Sequence, residues 1–226
     1  MVGETYYTLV SSLPRLPHFE QAEYLPLSRK QLDERLAMLT LEHSVQLRFA
    51  ERLVRWQRQP ITRTSEQVAE DYKRLLPHLT DPALREFVDY RMTQRTALVA
   101  LRRRRRGLAP PAADEVWGVG PWVRRIASAG DRADLGLGQV FPWVDEAAKL
   151  LEAGDANGVE RLLMDTAWTY LGRLAERSAF GFEPVIAFVF RWDILQRWLS
   201  YDAEAGKTRF QELISEVTRE HQQLFA

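Results

Sequence analysis

The sequence predicts an all-α fold, a two-lobed helical bundle with a short extended N-terminal segment. Three observations carry that prediction. Phe182–Ser200 is apolar on two sides of a helix: Val185, Phe188, Val189, Trp192, Leu195 and Leu199 form one stripe, and Ile186, Phe190, Ile194 and Trp198 another. A helix with two apolar faces is packed on two faces, so 183–201 reads as the central helix of the body. Helix start signals recur along the rest of the chain, and β-type alternation is weak after residue 13.

The elements follow in order. Residues 5–13, TYYTLVSSL, are β-branched and aromatic and read as an extended lead-in closed by Pro14 and Pro17. Ser28 is an N-cap for Arg29–Leu39, and Thr40 caps a helix running to about Arg58 with Val45, Phe49, Leu53 and Trp56 on one face. Thr64 with Gln67 has the capping-box spacing ahead of Val68–Leu76. Asp81 before Pro82 opens a long helix that runs to Arg106 and stops at Gly107. Trp122–Ser128 and Pro142–Glu152 read as shorter helices around a turn at 130–138. Asp155 caps the helix carrying Val159, Leu162, Leu163, Thr166, Ala167, Tyr170, Leu171 and Leu174, and Asp202 caps a last one to about Gln222.

Composition sets the outer limits. With 226 residues, 46% of them hydrophobic, the chain can bury a sizeable core without covalent staples. The absence of cysteine removes disulfides, thiol catalysis and thiolate metal sites, and fits the cytosol. The N-terminus lacks the basic and apolar regions of a signal peptide, and the longest uncharged apolar run, Pro184–Phe190, cannot span a bilayer. Thirty-one basic and 31 acidic residues cancel, which argues against a dedicated nucleic-acid binder. The two halves do not cancel: residues 1–113 hold 19 Lys/Arg and 13 Asp/Glu, and the remainder holds 12 and 18. The Pro/Gly-rich stretch 108–121 separates them, which predicts a basic N-terminal lobe over 1–107 and an acidic C-terminal lobe over 122–226.

No motif supplies a catalytic constellation. Gly206-Lys207-Thr208 resembles the end of a phosphate-binding loop, but Tyr201 stands where its first glycine belongs and a helix replaces the required strand. Gly118-Val119-Gly120 also lacks a strand before it and a third glycine after it. His18, His43, His78 and His221 are isolated: none has a second histidine beside it, and none completes the Glu-x-x-His spacing of a metal site. No metal, cofactor or catalytic residue is therefore expected.

Arginine is the one residue type that asks for a function. The run Arg102–Arg106 sits at a helix C-terminus, where cations oppose the helix dipole; it is also a candidate surface for an acidic partner or for phosphate. Counting 100° per residue from Leu84, Phe87, Val88, Leu98 and Val99 lie within about 60° of the midline of an apolar stripe, and Arg91, Arg95 and Arg102 within about 20° of it. Such groups cannot be buried unpaired, so Arg91 and Arg95 are expected in buried or interface ion pairs, most simply with carboxylates of the other lobe. Seven tryptophans suit a core, with Trp117 beside the connection a candidate interface anchor.

The opening Tyr6-Tyr7-Thr8-Leu9-Val10-Ser11-Ser12-Leu13-Pro14 and the later run from Phe182 through Asp193, Trp198 and Asp202 to Gly206 resemble a bacterial family. Its members are typically encoded among the subunits of V-type ATPases. That family is similar to a shortened form of the V-type subunit called C in archaea and d in eukaryotes, a helical socket between the membrane ring and the central rotor stalk. The resemblance implies a non-enzymatic structural subunit or accessory protein with no cofactor. It also implies V-type ATPase subunits (stalk and ring) as partners, no nucleic acid, and a cytoplasmic place peripheral to the membrane through protein contacts. The full socket has three lobes, and this chain has room for about two. The alternative is a small regulatory binding protein using the basic helix end on nucleic acid or anionic membrane.

Overall fold

The computed structural model describes residues 5–55, 63–112, 115–130 and 132–201. These residues form nine α-helices and no strand: α1 (Tyr7–Ser12), α2 (Arg29–Leu36), α3 (Leu41–Val54), α4 (Ser65–Leu75), α5 (Pro82–Arg105), α6 (Val123–Ala127), α7 (Trp143–Glu152), α8 (Ala156–Ala175) and α9 (183–201). Two short 3-10 turns, Phe19–Gln21 and Leu76–His78, complete the set. The all-α expectation is met. The expected helix from Asp202, the Gly206-Lys207-Thr208 stretch, Trp56 and His221 lie outside the described residues.

The helix starts are local chemistry. Ser28 and Thr64 both close full capping boxes, with Gln31 and Gln67 bonding back to the cap backbone. Thr40, Asp81 and Asp155 accept from the backbone N–H groups of His43, Leu84 and Gly158. Gly107 ends α5 with φ +66°, a conformation a side chain would oppose.

The N-terminal segment corrects the sequence reading, because 7–12 is helical rather than extended. Tyr6, Leu9, Val10 and Leu13 recur at i, i+3, i+4 and i+7, and that face packs into the body with Leu9 fully buried. Tertiary burial overrides the β-propensity of the individual residues. The Tyr6 N–H donates to the Phe180 carbonyl at 2.6 Å and the Tyr7 ring lies 4.1 Å from that of Phe180, so the segment is stitched to the lead-in of α9.

Both stripes of α9 are buried: Val185, Ile186, Val189, Phe190, Trp192 and Leu195 have almost no exposure. The Trp192 indole N–H donates to the Leu27 carbonyl at 2.8 Å, satisfying its one polar atom inside the core. Around α9 the larger core gathers α1 to α4, the first part of α5 up to Met92, and α8 from Met164 onward. A smaller core joins Ala97, Leu98 and Leu101 of α5 to Trp117, Ile126, Leu135, Leu137, α7 and the start of α8.

The cores therefore do not follow the expected division into 1–107 and 122–226. Each contains residues from both sides of the 108–121 connection, and α5 and α8 run through both. The change from one core to the other falls inside α5, where Arg91, Thr93, Gln94 and Thr96 are buried polar residues between apolar neighbours. Thr96 fastens the connection there: its hydroxyl donates to the Val119 carbonyl at 2.6 Å and receives the Val119 N–H at 2.9 Å. Gly118 crosses so close to Thr96 that an added Cβ would lie 2.6 Å from its methyl group. A Pro/Gly-rich stretch that reads as a spacer in sequence is thus pinned onto the helix it follows.

Candidate functional site

Where the two cores meet, a cleft of about 400 Å³ opens between the end of α3, the middle of α5, and α8 and α9. Its floor is apolar, with Phe87, Leu163, Met164 and Phe190 among its residues, and five arginines line it: Arg55, Arg91, Arg95, Arg102 and Arg197. Two carboxylates, Glu160 and Asp193, share the lining. Arg91, Arg95 and Arg102 are the three residues that the helical register of α5 places on its apolar stripe.

The five guanidinium groups are met very differently. Arg55 forks onto Asp193, with Nε at 2.6 Å and an Nη at 2.8 Å, and also reaches Glu51 at 2.5 Å. Arg197 pairs with Glu160 and donates to the Tyr201 hydroxyl at 2.6 Å, and that hydroxyl donates to Glu160 at 2.8 Å. Both cleft carboxylates are thereby engaged.

Arg91, the most deeply buried of the set, donates to the side-chain carbonyl of Gln94 at 2.5 Å. The Gln94 amide in turn donates to the Thr166 hydroxyl at 2.8 Å, so the network crosses from α5 to α8. Burial pulls Arg91 down to about 10, with the charge of Asp193 acting the other way, and the group stays ionised at neutral pH. Asp193, a carboxylate from the later part of the chain, is one of the charges acting on Arg91, and one hydrogen bond of its guanidinium runs to an amide.

Arg95 does not meet a carboxylate of the later half of the chain among the described residues. It is half-buried, and among the described residues no hydrogen bond or ion pair reaches its side chain. Its pKa is lowered by burial and then by the like charges of Arg63 and Arg102. Arg102, exposed at the mouth, has no such side-chain partner among the described residues either.

The conspicuous run at the end of α5 is mostly committed to the protein itself. Arg103 pairs with Glu115 and donates to the Ala109 carbonyl at 3.3 Å. Arg104 donates to the carbonyls of Arg132 at 2.7 Å and Gly130 at 2.8 Å, tying the 130–138 turn to the helix end. Arg105 and Arg106 are exposed. Consecutive residues radiate around a helix, so Arg102 faces the cleft while Arg103 and Arg104 face the connection and the turn. The run is not one surface for one partner. Trp117 is likewise no surface anchor: it is 6% exposed, inside the smaller core.

Arg55, Glu160, Asp193 and Arg197 are cleft residues that sequence reasoning did not single out. A signal existed for two of them. Asp193 and Arg197 stand four apart on a helix apolar on both sides, so they share one side of it at the edge of an apolar stripe. Nothing local in the sequence points that side at α5.

Chemically the cleft holds permanent positive charge. Guanidinium groups do not exchange protons near neutral pH, and the two carboxylates are held by arginines, so the lining is suited to attracting anionic groups rather than to proton transfer. Among the described residues no group of three or more His, Cys, Asp or Glu is placed to hold a metal ion.

Comparison with known families places the chain. A family model described as a protein of unknown function, DUF2764, matches residues 18–221. The chain belongs to this family. The match takes in α2 to α9, and with them the whole arginine cleft of this DUF2764 member. No curated protein and no solved structure gives a match. No helix among the described residues is long and apolar enough to cross a membrane.

Proposed function

We propose that the chain is a non-enzymatic subunit or accessory protein of a V-type ATPase, similar to the socket subunit that links the central rotor stalk to the membrane ring. On this reading it sits at the cytoplasmic face and is held there by protein contacts. The observation that carries the reading is the resemblance of Tyr6–Pro14 and of the run from Phe182 to that ATPase-encoded family. Supporting it, the described parts of these two distant stretches pack together. The Tyr6 N–H bonds the Phe180 carbonyl, and His43 lies between the Tyr6 hydroxyl at 2.5 Å and the Phe182 ring, stacked at 4.1 Å. The residues that carry the likeness thus form one structural unit at the base of the central helix.

A second support is the character of the cleft, whose paired carboxylates and permanently charged arginines favour contact over chemistry. The rival use of the basic helix end on nucleic acid or membrane would require Arg103 and Arg104 to give up the partners described above.

The test is affinity capture of the tagged protein from its native membranes with the bound chains identified. The expected result is co-purification of V-type stalk and ring subunits, with no ATP hydrolysis by the isolated chain. A capture that brings down no ATPase subunit, or an assembled ATPase that lacks the chain, rejects the proposal.

A further inference from the structure

Five guanidinium groups line a hollow of about 400 Å³. Arg55 is held by Asp193 and Glu51, and Arg197 by Glu160, whereas Arg95 and Arg102 meet no hydrogen-bonding or ion-pair partner among the described residues. That volume falls in the range of small-molecule sites, roughly 300–1,000 Å³, and an apolar floor with a few charged groups is their usual make-up. Exposed arginines lose little by lacking a counter-ion, because water screens them. Arg95 is different. Its side chain is half-buried, beside Arg63 and Arg102 of like sign, and no described residue supplies it with an acceptor. Arg63 does not relieve it, since Arg63 is itself engaged with Asp71.

Geometry narrows the ligand. Arg95 and Arg102 are seven residues apart on one face of α5, two turns or about 10 Å along the axis. Long side chains separated in this way reach two anionic groups of one ligand more naturally than a single carboxylate. Guanidinium forks match phosphate oxygens well, and a diphosphate carries negative charge enough for both Arg95 and Arg102. The apolar floor, with Leu163 and Phe190, offers no hydrogen bonds to a polar body.

From these observations we infer that the cleft is a binding site for a small organic diphosphate, its phosphates on Arg95 and Arg102 and its apolar body on the floor between α5, α8 and α9. The site is independent of the ATPase assignment. A chain that binds such a ligand outside any ATPase, or one that assembles with the ATPase and binds nothing, separates the two.

The test is isothermal titration of the full chain with inorganic pyrophosphate and with geranyl diphosphate below its aggregation limit, at constant ionic strength. Both bind, the organic diphosphate more tightly. Arg95→Gln and Arg102→Gln each weaken binding at least about tenfold, the loss expected for one charge-assisted contact. Arg106→Gln, at the exposed helix end, changes nothing. Arg95→Met guards against misfolding, because it removes a half-buried like charge. It raises the melting temperature of the free chain and abolishes the melting shift that pyrophosphate gives the parent. The inference is overturned if neither diphosphate binds, if pyrophosphate binds and the organic ligand does not, if Arg106→Gln weakens binding as much as Arg95→Gln, or if Arg95→Met lowers the melting temperature.

Discussion

Two sets of arginines on α5 use the same side chain and end in opposite situations. At the helix end, Arg103 and Arg104 are conspicuous in sequence and spent in structure, one on Glu115 and the other on two turn carbonyls. Along the cleft face, Arg91, Arg95 and Arg102 are scattered in sequence and gathered in space. The difference teaches that density of charge along a chain says little about availability. A run of like residues radiates around the helix and finds many separate partners. Residues spaced by whole turns share one face and one environment, where Arg95 and Arg102 stand without a described partner.

That contrast can be broken at several points. The largest effect is expected at Gln94, which lies between the Arg91 guanidinium and the Thr166 hydroxyl with no exposure. Gln94→Leu strips a buried cation of a hydrogen bond and should cost about 3 kcal/mol, read from urea unfolding midpoints. A loss under about 1 kcal/mol would mean that Arg91 does not depend on this network. Replacing the cation itself is milder. Arg91→Met exchanges a buried charge for an apolar chain of similar reach, so stability should change by no more than about 1.5 kcal/mol in either direction. A much greater loss would show that the charge at Arg91, rather than its volume, holds the two cores together.

At the helix end, Arg104→Ala should cost about 1 kcal/mol, since the lost bonds are charge-assisted but exposed. Its signature is faster amide hydrogen exchange confined to the 130–138 turn. Exchange that quickens around α9 instead would contradict the local role given to this residue.

The smallest effect belongs to Arg177, an arginine outside both sets. It forks onto Glu86 at 2.6 and 3.0 Å with both side chains about half exposed. That hydrogen bond, the largest cause, lowers the Glu86 pKa below its ordinary 4.5. A carboxylate whose folded value is depressed adds stability that is complete above pH 4.5 and is lost as the pH falls through the folded value. Glu86→Gln should therefore cost less than about 1 kcal/mol at neutral pH, a penalty that shrinks as the pH falls through the folded value. A penalty that does not shrink on acidification would remove the ion pair as its source.

Much of the fold was legible because it is written locally. The caps at Ser28, Thr40, Thr64, Asp81 and Asp155 each act within three residues of themselves, and all five form as their spacing predicts. The two stripes of α9 announced a helix packed on both sides, and both are buried. The helical register of α5 likewise aligns Arg91, Arg95 and Arg102 on one face.

Tertiary structure alone decided the rest. Whether 7–12 became strand or helix depended on a buried face for Leu9, and that face is assembled from elements far along the chain. Composition suggested a break at 108–121, yet the cores change over within α5, because burial follows contact in space rather than order in the chain. Asp193 and Glu160 face the arginine wall only because α8 and α9 pack beside α5. The sequence by itself determined most of the helices, which of their faces are apolar and where the cations line up. Their neutralisation or lack of it was decided by packing, since an ionised group is stabilised or strained by what stands within a few ångströms of it.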